Sequence, residues 1–438
     1  MATAPVNLAA LSKRELQAWT AQWGWSRYRA AQLWEWLYRR RVVSFESMTN
    51  LSVGMRAELA QRACVRWPSV IERRIAADGT RKLLIGLEDG RRIESVLIPD
   101  ERRLTLCLST QVGCTLDCGF CLTGTMGLSR NLKAHEIVGQ WIAAQQELDE
   151  WLQHLPDRAL KSAPSAQAGQ KAPAARPQGA RKPESDHLAE RWSDEDFRGA
   201  GLVPKIERSS HLRFEVNAAD GLFHRPARLT NLVFMGMGEP LANLPQLVDA
   251  LTRLTDPHGV AFPPRRITVS TAGLAPQIAE LGRLSPAVNL AVSLNATDDA
   301  TRAKIMPLAA RYSIGEVMAA CRAYPLAPRR FITFEYVLLD RVNDSDEDAR
   351  RLVKLLRGLR AKVNLIPWNP FPGTPFRRPP DERIARFQRI LLDHDVPAYI
   401  RKSKGREILA ACGQLHQADQ SDGRAADHPS QPLHAALS

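Results

Sequence analysis

From about Arg92 onward, strand-like and helical runs alternate along this chain of 438 residues, and that alternation restricts the fold more than any other feature. Short runs rich in Val, Ile, Leu and Thr over 104–109, 232–235, 267–270, 290–294, 332–338 and 363–366 read as strands. Helical spacing follows each of them, over 134–152, 244–254, 276–284, 300–305, 347–359 and 381–393. Repeated strand–helix units predict an α/β fold with parallel strands, closed fully or partly into a barrel. In such folds chemistry collects where strands end and loops begin. The polar and Gly-rich stretches 111–126, 236–240, 270–273, 293–295 and 367–372 all fall at those ends.

The first of these loops packs Cys114, Cys118 and Cys121 into eight residues. The spacing is too tight for disulfides and one ligand short of a closed zinc site. Thiolates at Cys-x3-Cys-x2-Cys can hold three irons of a [4Fe–4S] cluster and leave the fourth iron open to a small molecule. Gly113, Asp117 and Gly119 permit the turns that let three sulfurs converge. The competing reading is a Cys3His zinc knuckle completed by His135, the nearest histidine.

Seven cysteines and an N-terminus with neither a basic lead nor an apolar run predict no signal peptide and a reducing, cytoplasmic setting. No apolar stretch reaches the roughly 18 to 20 residues that span a bilayer. Sixty Lys plus Arg against 47 Asp plus Glu give a net charge of +13 and a pI near 9.7, which favours nucleic acid over a membrane surface as partner. Residues 1–66 read as a small helical module in which Arg27, Arg29, Arg39, Arg40 and Arg41 lie among Trp19, Trp23, Trp25, Trp34 and Trp36, with a helix from about Val53 to Arg62. A connecting β segment, 67–103, leads into a barrel over 104–412. Low-complexity sequence within 156–227 reads as a disordered insertion, and 413–438 as a disordered tail.

Gly236-Met237-Gly238-Glu239-Pro240 lacks the third glycine of a dinucleotide fingerprint. Its backbone is unobstructed, and the Glu239 carboxylate is a candidate acceptor for an ammonium group or a ribose. Ser270, Ser293 and Asn369 offer hydroxyl and amide groups at neighbouring strand ends. Alternation in 104–109 puts Thr105, Cys107 and Ser109 on the polar face. Cys412 lies among small residues that leave its sulfur accessible, whereas Cys64 and Cys321 sit in apolar helical contexts and read as buried.

Cys114-x3-Cys118-x2-Cys121 resembles the signature of radical S-adenosylmethionine enzymes. With it, Gly236-Met237-Gly238-Glu239-Pro240-Leu241, the run from Asn364 through Pro367-Trp368-Asn369-Pro370 to Phe371, and Arg401-Lys402-x-x-Gly405 leading to Cys412-Gly413-Gln414-Leu415 are similar to the ribosomal RNA adenine-C2 methyltransferase family, whose members also modify a tRNA adenine beside the anticodon. The resemblance covers nearly the whole chain outside 156–227 and the tail. It implies a partial (β/α)6 TIM-type barrel of the radical-SAM type with a small helical RNA-binding domain at the N-terminus. It also implies a [4Fe–4S] cluster on Cys114, Cys118 and Cys121, and S-adenosylmethionine, two molecules per turnover, contacted by Gly238, Glu239, Ser270, Ser293, Leu294, Asn295 and Asn369. Two departures stand out: Asn295 occupies a position commonly held by histidine, and the basic insertion is not part of the common pattern.

The same resemblance makes Cys412 the methyl carrier, Cys107 its resolving partner and Glu94 the proton acceptor. Carbon 2 of adenine lies between two electron-withdrawing nitrogens and does not attack an electrophilic methyl group, so the implied route is radical. A methyl loaded on Cys412 loses hydrogen to a 5′-deoxyadenosyl radical, adds to the base, and is released when Cys107 attacks the Cys412 sulfur, leaving a disulfide. The implied partners are 23S ribosomal RNA, tRNA, a flavodoxin-like electron donor and a disulfide reductant, acting on a monomer. The competing readings are a carbon-8 methyltransferase of the same type and a noncatalytic RNA-binding protein with a zinc or iron–sulfur site.

Overall fold

The computed structural model describes residues 4–100, 103–153, 228–284, 287–307 and 311–416. The expected insertion at 156–227 lies outside the described residues, as does the tail from 417. Three helices open the chain: α1 (Lys13–Ala21), α2 (Arg27–Tyr38) and α3 (Val53–Arg62). A capping box between Ser12 and Glu15 starts α1, and the Ser52 hydroxyl caps α3. Two short strands, β1 (Val6–Asn7) and β2 (Ala63–Cys64), pair in parallel and tie the ends of this module together. Trp34 and Tyr38 are buried and stack at 4.2 Å, while Trp23 lies on the surface under the Arg62 guanidinium at 3.6 Å.

A ten-stranded sheet forms the body, and its order explains where the site lies. Strands β3 (Ser69–Ile75), β4 (Arg81–Gly86), β5 (Arg92–Asp100) and β6 (Arg103–Cys107) run antiparallel. From β6 the sheet continues in parallel through β9 (Asn231–Phe234), β10 (Ile267–Thr271), β11 (Asn289–Ser293), β12 (Ile332–Leu338), β13 (Ala361–Pro367) and β14 (Ala398–Ile400). Outside this sheet, β7 (Gln111–Gly113) and β8 (Leu128–Asn131) pair with each other. The six expected strands are all present. The parallel run gains a seventh, β14, whose three residues are too few to carry a period.

Helices α4 (Ala134–Gln153), α5 (Leu244–Thr255), α6 (Ala275–Leu284), α7 (Asp299–Ile305), α8 (Ile314–Ala323), α9 (Asp346–Leu356) and α10 (Asp381–Leu392) complete the strand–helix units. Of these, α8 falls between two expected elements and was foreseen only as the apolar helical context of Cys321, without bounds. Their apolar faces cover the outer face of the sheet through buried residues such as Leu247, Leu251, Ile278, Val317, Leu352 and Phe387, each contributing roughly 1.5–3 kcal/mol by burial. One buried guanidinium fastens the helical module to this body. Arg253 on α5 donates to Ala9 O at 2.9 Å, Tyr38 Oη at 2.8 Å and Asp249 Oδ2 at 2.7 Å. The Cys321 thiol is buried on α8, and Cys64 is half-buried.

The expected tail beginning at 413 requires correction. Residues 413–416 are packed, because Leu122 N donates to Gly413 O at 2.7 Å, Thr123 Oγ1 to Leu415 O at 2.6 Å, and His416 N to Glu94 Oε2 at 2.9 Å. Backbone bonds to distant elements, which composition does not register, order this stretch.

Candidate active site

The carboxyl ends of the parallel strands enclose a cavity of about 170 Å³. Three layers of contact build it. The first is the loop after β7, where Asp117 takes a left-handed φ of 46° and Cys121 N donates to Cys118 O at 3.0 Å. This local winding brings Cys114, Cys118 and Cys121 to one wall. Burial pushes the Cys114 thiol up to about 12 and raises Cys118 and Cys121 as well, with the charges of neighbouring cysteines adding to the effect at Cys114 and Cys118. Thiols in that state give up their protons to a bound cation rather than to water.

The donor set suits iron–sulfur ligation, since three soft sulfurs face one cavity from one loop. His135 sits on α4, buried away from the cavity wall, so it does not complete a Cys3His set. Among the described residues no three His, Cys, Asp or Glu side chains close on a point that would hold a single metal ion.

The second layer is the turn after β9. Gly238 adopts φ +94°, and a Cβ there would meet the Gln111 side chain at 2.5 Å, so the backbone lies directly on that residue. Gln111 Oε1 in turn accepts from Glu239 N at 2.9 Å. The Glu239 carboxylate is buried and already engaged, accepting from Leu241 N at 3.0 Å and Ala272 N at 2.7 Å. It therefore locks the β9 turn to the end of β10 while lining the cavity, a narrower role than that of the open acceptor expected from sequence. Burial pushes its carboxyl up to about 7.

Ser270, Ser293, Asn295 and Asn369 also line the cavity. Asn295 sits at φ 57°, a left-handed conformation that asparagine adopts more readily than most residues. Its Oδ1 accepts from Val337 N at 2.9 Å and its Nδ2 donates to Met306 Sδ at 3.2 Å. Leu294 is fully buried beside them with its side chain off the cavity wall.

The third layer is a strap over residues 401–416 that crosses from the β14 edge towards the antiparallel strands. Gly405 N donates to Asp78 Oδ2 at 3.0 Å, Lys82 Nζ to Leu409 O at 3.4 Å, and Asn369 Nδ2 to Cys412 O at 3.3 Å. These anchors set Cys412 into the cavity wall, exposed at its surface. Desolvation by its surroundings raises its thiol above the usual value, the Glu335 charge adds to the rise, and Arg401 opposes it.

Cys107 is buried just behind, at the end of β6, and its thiol is raised by burial and by the charge of Cys412. Glu94 shares the face of Cys107, because β5 pairs Val96 with Cys107 and Glu94 lies one pleat further along. Its carboxylate is ion-paired with buried Lys82 at 2.8 Å, and burial raises its pKa against that pairing. Beneath it, Gln140 of α4 accepts from Ser95 Oγ at 2.7 Å and Ser109 N at 2.8 Å and donates to Ser109 O at 2.8 Å, a satisfied network that fixes β5 against β6.

Thus ten of the thirteen residues singled out from sequence line one cavity, and Cys107, Glu94 and Leu294 stand behind its wall. Among the other wall residues, Glu335 was not singled out from sequence and Trp368 was quoted only as part of a motif. Glu335 accepts from Asn364 Nδ2 at 2.8 Å, and burial raises its pKa. Its signal was available as the single charge in an otherwise uncharged strand. Trp368 donates to Phe120 O at 3.0 Å, tying the β13 loop to the cysteine loop.

Comparison with known proteins gives the family. Residues 6–65 match the family model described as the ribosomal RNA large subunit methyltransferase N-terminal domain. The dual-specificity RNA methyltransferase RlmN of Syntrophobacter fumaroxidans is 42% identical over 94% of this chain and 98% of its own length. That of Rhodospirillum rubrum is also 42% identical, over 97% of this chain and 86% of its own. A crystal structure of a radical SAM methyltransferase from Sphaerobacter thermophilus superposes with a TM-score of 0.72 at 39% identity, covering 94% of this chain and 99% of that one. The chain belongs to the RlmN family of radical SAM RNA methyltransferases.

Proposed function

We propose that this protein methylates carbon 2 of an adenine in 23S ribosomal RNA and of the adenine beside the anticodon in tRNA. The observation that carries the reading is the meeting of three loop thiols, the Gly236–Pro240 turn and the Cys412 strap at one cavity. When bound, a [4Fe–4S] cluster and S-adenosylmethionine supply a transferable methyl group and hydrogen abstraction by a carbon radical. Cys114, Cys118 and Cys121 hold the cluster. Gly238, Glu239, Ser270, Ser293, Leu294, Asn295 and Asn369 cradle the cofactor. Two cofactor molecules are used per turnover.

Cys412 carries the methyl on its sulfur, and its place in the cavity wall supports that role. Glu94 accepts the proton lost from the base, supported by its raised affinity for protons and by its bond to the strap at His416. Once the adduct has given up one electron, which the cluster held by Cys114, Cys118 and Cys121 would accept, Cys107 attacks the Cys412 sulfur, expels the methylated base, whose new methyl group takes up a proton, and leaves a Cys107–Cys412 disulfide for an external reductant. The influence of the Cys412 charge on Cys107 supports that pairing. Residues 1–66 form an RNA-binding domain, supported by exposed Tyr28 and by Trp23 capped by Arg62. A flavodoxin-like donor feeds the cluster, and the enzyme acts as a cytoplasmic monomer.

The test is mass spectrometry of adenines in RNA from cells with and without the gene, joined to the Cys107→Ala variant. Loss of 2-methyladenine without the gene, and a covalent RNA adduct on Cys412 in the variant, are expected. Loss of 8-methyladenine instead would move the reaction to carbon 8, and methyl loading of Cys412 with no adduct would remove Cys107 from its role.

A further inference from the structure

Strand register marks out a surface that the chemistry above does not use. Ser293 pairs with Glu335, Glu335 with Asn364, and Asn364 with Tyr399, so these four residues form one row across β11, β12, β13 and β14. The Asn364–Glu335 hydrogen bond and the place of Ser293 and Glu335 in the cavity wall fix the row on the inner face of the partial barrel. Tyr399 ends it on the edge strand, 56% exposed.

Cations flank this ring. Arg401 N donates to Leu365 O at 2.8 Å, extending the ladder and placing Arg401 one pleat beyond Tyr399 on the same face. Lys362 lies one pleat below Asn364 and is half-buried. Glu335 is acted on by both Arg401 and Lys362, so two cations share one carboxylate on this face. A low-dielectric wall with that excess of positive charge favours a polyanion.

We propose that this inner face of β13 and β14 seats the RNA strand beside the target adenine, with Tyr399 stacking on the neighbouring base and Arg401 and Lys362 holding its phosphates. The seat rests on the proposed function. A base delivered beside Cys412 stays tethered to its phosphates, and the strand must leave the cavity past a wall. This wall offers an aromatic platform between cations, the pairing by which single strands are held.

The test measures fluorescence anisotropy of a labelled RNA stem–loop, with the target adenine in its loop, against cluster-loaded protein without S-adenosylmethionine. Tyr399→Ala is expected to weaken binding about tenfold while Tyr399→Phe retains it. Lys362→Gln and Arg401→Gln should each lower the slope of log affinity against log salt by about 0.7. Thermal melts identify any variant that has lost its fold, and Arg401→Lys, which keeps the charge, should retain the slope. Unchanged affinity in Tyr399→Ala, or unchanged slopes in both cation variants, overturns the seat. So does a concentration-dependent dimer abolished by Tyr399→Ala, which would give this face to a second copy. If the variants show these losses but the wild-type protein methylates no adenine, the proposed function fails and the seat stands, whereas methylation by wild type with variants that bind as it does sinks the seat alone.

Discussion

The cysteine loop and the Cys412 strap put sulfur into the same cavity by opposite means. In the loop, the winding that brings three thiols together is made by bonds a few residues long, such as Cys121 N to Cys118 O and Gly124 N to Cys121 O at 2.9 Å, while Gly119 N to Ile305 O and Trp368 Nε1 to Phe120 O hold the wound loop from outside. In the strap, a single thiol is placed by anchors that reach Asp78, Lys82, Glu94, Leu122 and Asn369. The loop should therefore fail chemically with the fold intact, and the strap should fail by losing its position. A ligand set needs rigid convergence; a group that carries methyl between partners needs a support that several elements share.

The loop half of this comparison breaks most sharply at its ligands. Cys118→Ala removes one of three sulfurs, and iron content with 5′-deoxyadenosine formation should fall by more than a hundredfold while the melting temperature of the apoprotein shifts little. Near-normal iron content would break the assignment of the loop.

The strap half breaks at Lys82. Replacing it by Met leaves the Glu94 carboxylate buried without its cation, a change that costs about 3–5 kcal/mol. The sign of the pH dependence follows from burial. Glu94 is already raised in the folded state, so its contribution to stability is present at low pH and lost as pH rises through the folded value. Without Lys82 that value rises further, so the deficit should be small near pH 4, about the unperturbed carboxylate value, and grow toward pH 7. Urea midpoints at the two pH values measure it; equal deficits would show that Lys82 acts through its contact with Leu409 O instead.

Two glycines sharpen the contrast. A Cβ on Gly113, at φ +79°, would lie 1.9 Å from Gly127 O, a backbone atom across the loop. On Gly405, at φ +62°, it would meet Thr80 Cγ2 at 2.7 Å and Ala410 Cβ at 2.9 Å, which are side-chain atoms. Gly113→Ala should cost about 2–4 kcal/mol and Gly405→Ala about 1–2 kcal/mol, measured by urea unfolding, since φ strain adds to both and only the second neighbour is built of side chains.

The same contrast explains what the sequence made legible. The parallel strands and the cysteine loop are local, and their periods, turn residues and spacing stand in the chain itself. Strand β14 is three residues long and is held by its pairing with β13, whereas α8 does carry local signals, a Ser313–Glu316 capping box and buried Ile314, Val317, Met318 and Cys321 at helical spacing, that the strand–helix alternation left between its elements. The strap reads as composition suited to a mobile tail beyond Cys412, because Glu94, Leu122 and Thr123, which order it, lie about three hundred residues away. Glu335 was missed for a different reason. A lone carboxylate in a strand reads as an outward residue until pairing with Asn364 shows that it faces in.

The smallest expected effect tests whether the strap is held as a unit. Asn369 Nδ2 donates to Cys412 O at 3.3 Å, and Gln414 Nε2 donates back to Pro370 O at 3.0 Å, so the strap and the loop after β13 are joined by two reciprocal side-chain bonds. Each is a neutral hydrogen bond, and removing either should cost about 0.5–1.5 kcal/mol. Alkylation of Cys412 by iodoacetamide should accelerate about threefold in Asn369→Ala and similarly in Gln414→Ala. If the strap lifts as one piece, the first loss already frees it, and the double variant should exceed either single one only slightly. Multiplying effects would mean that each bond restrains its own residue, which would make the strap a series of local contacts like the cysteine loop and erase the distinction between them.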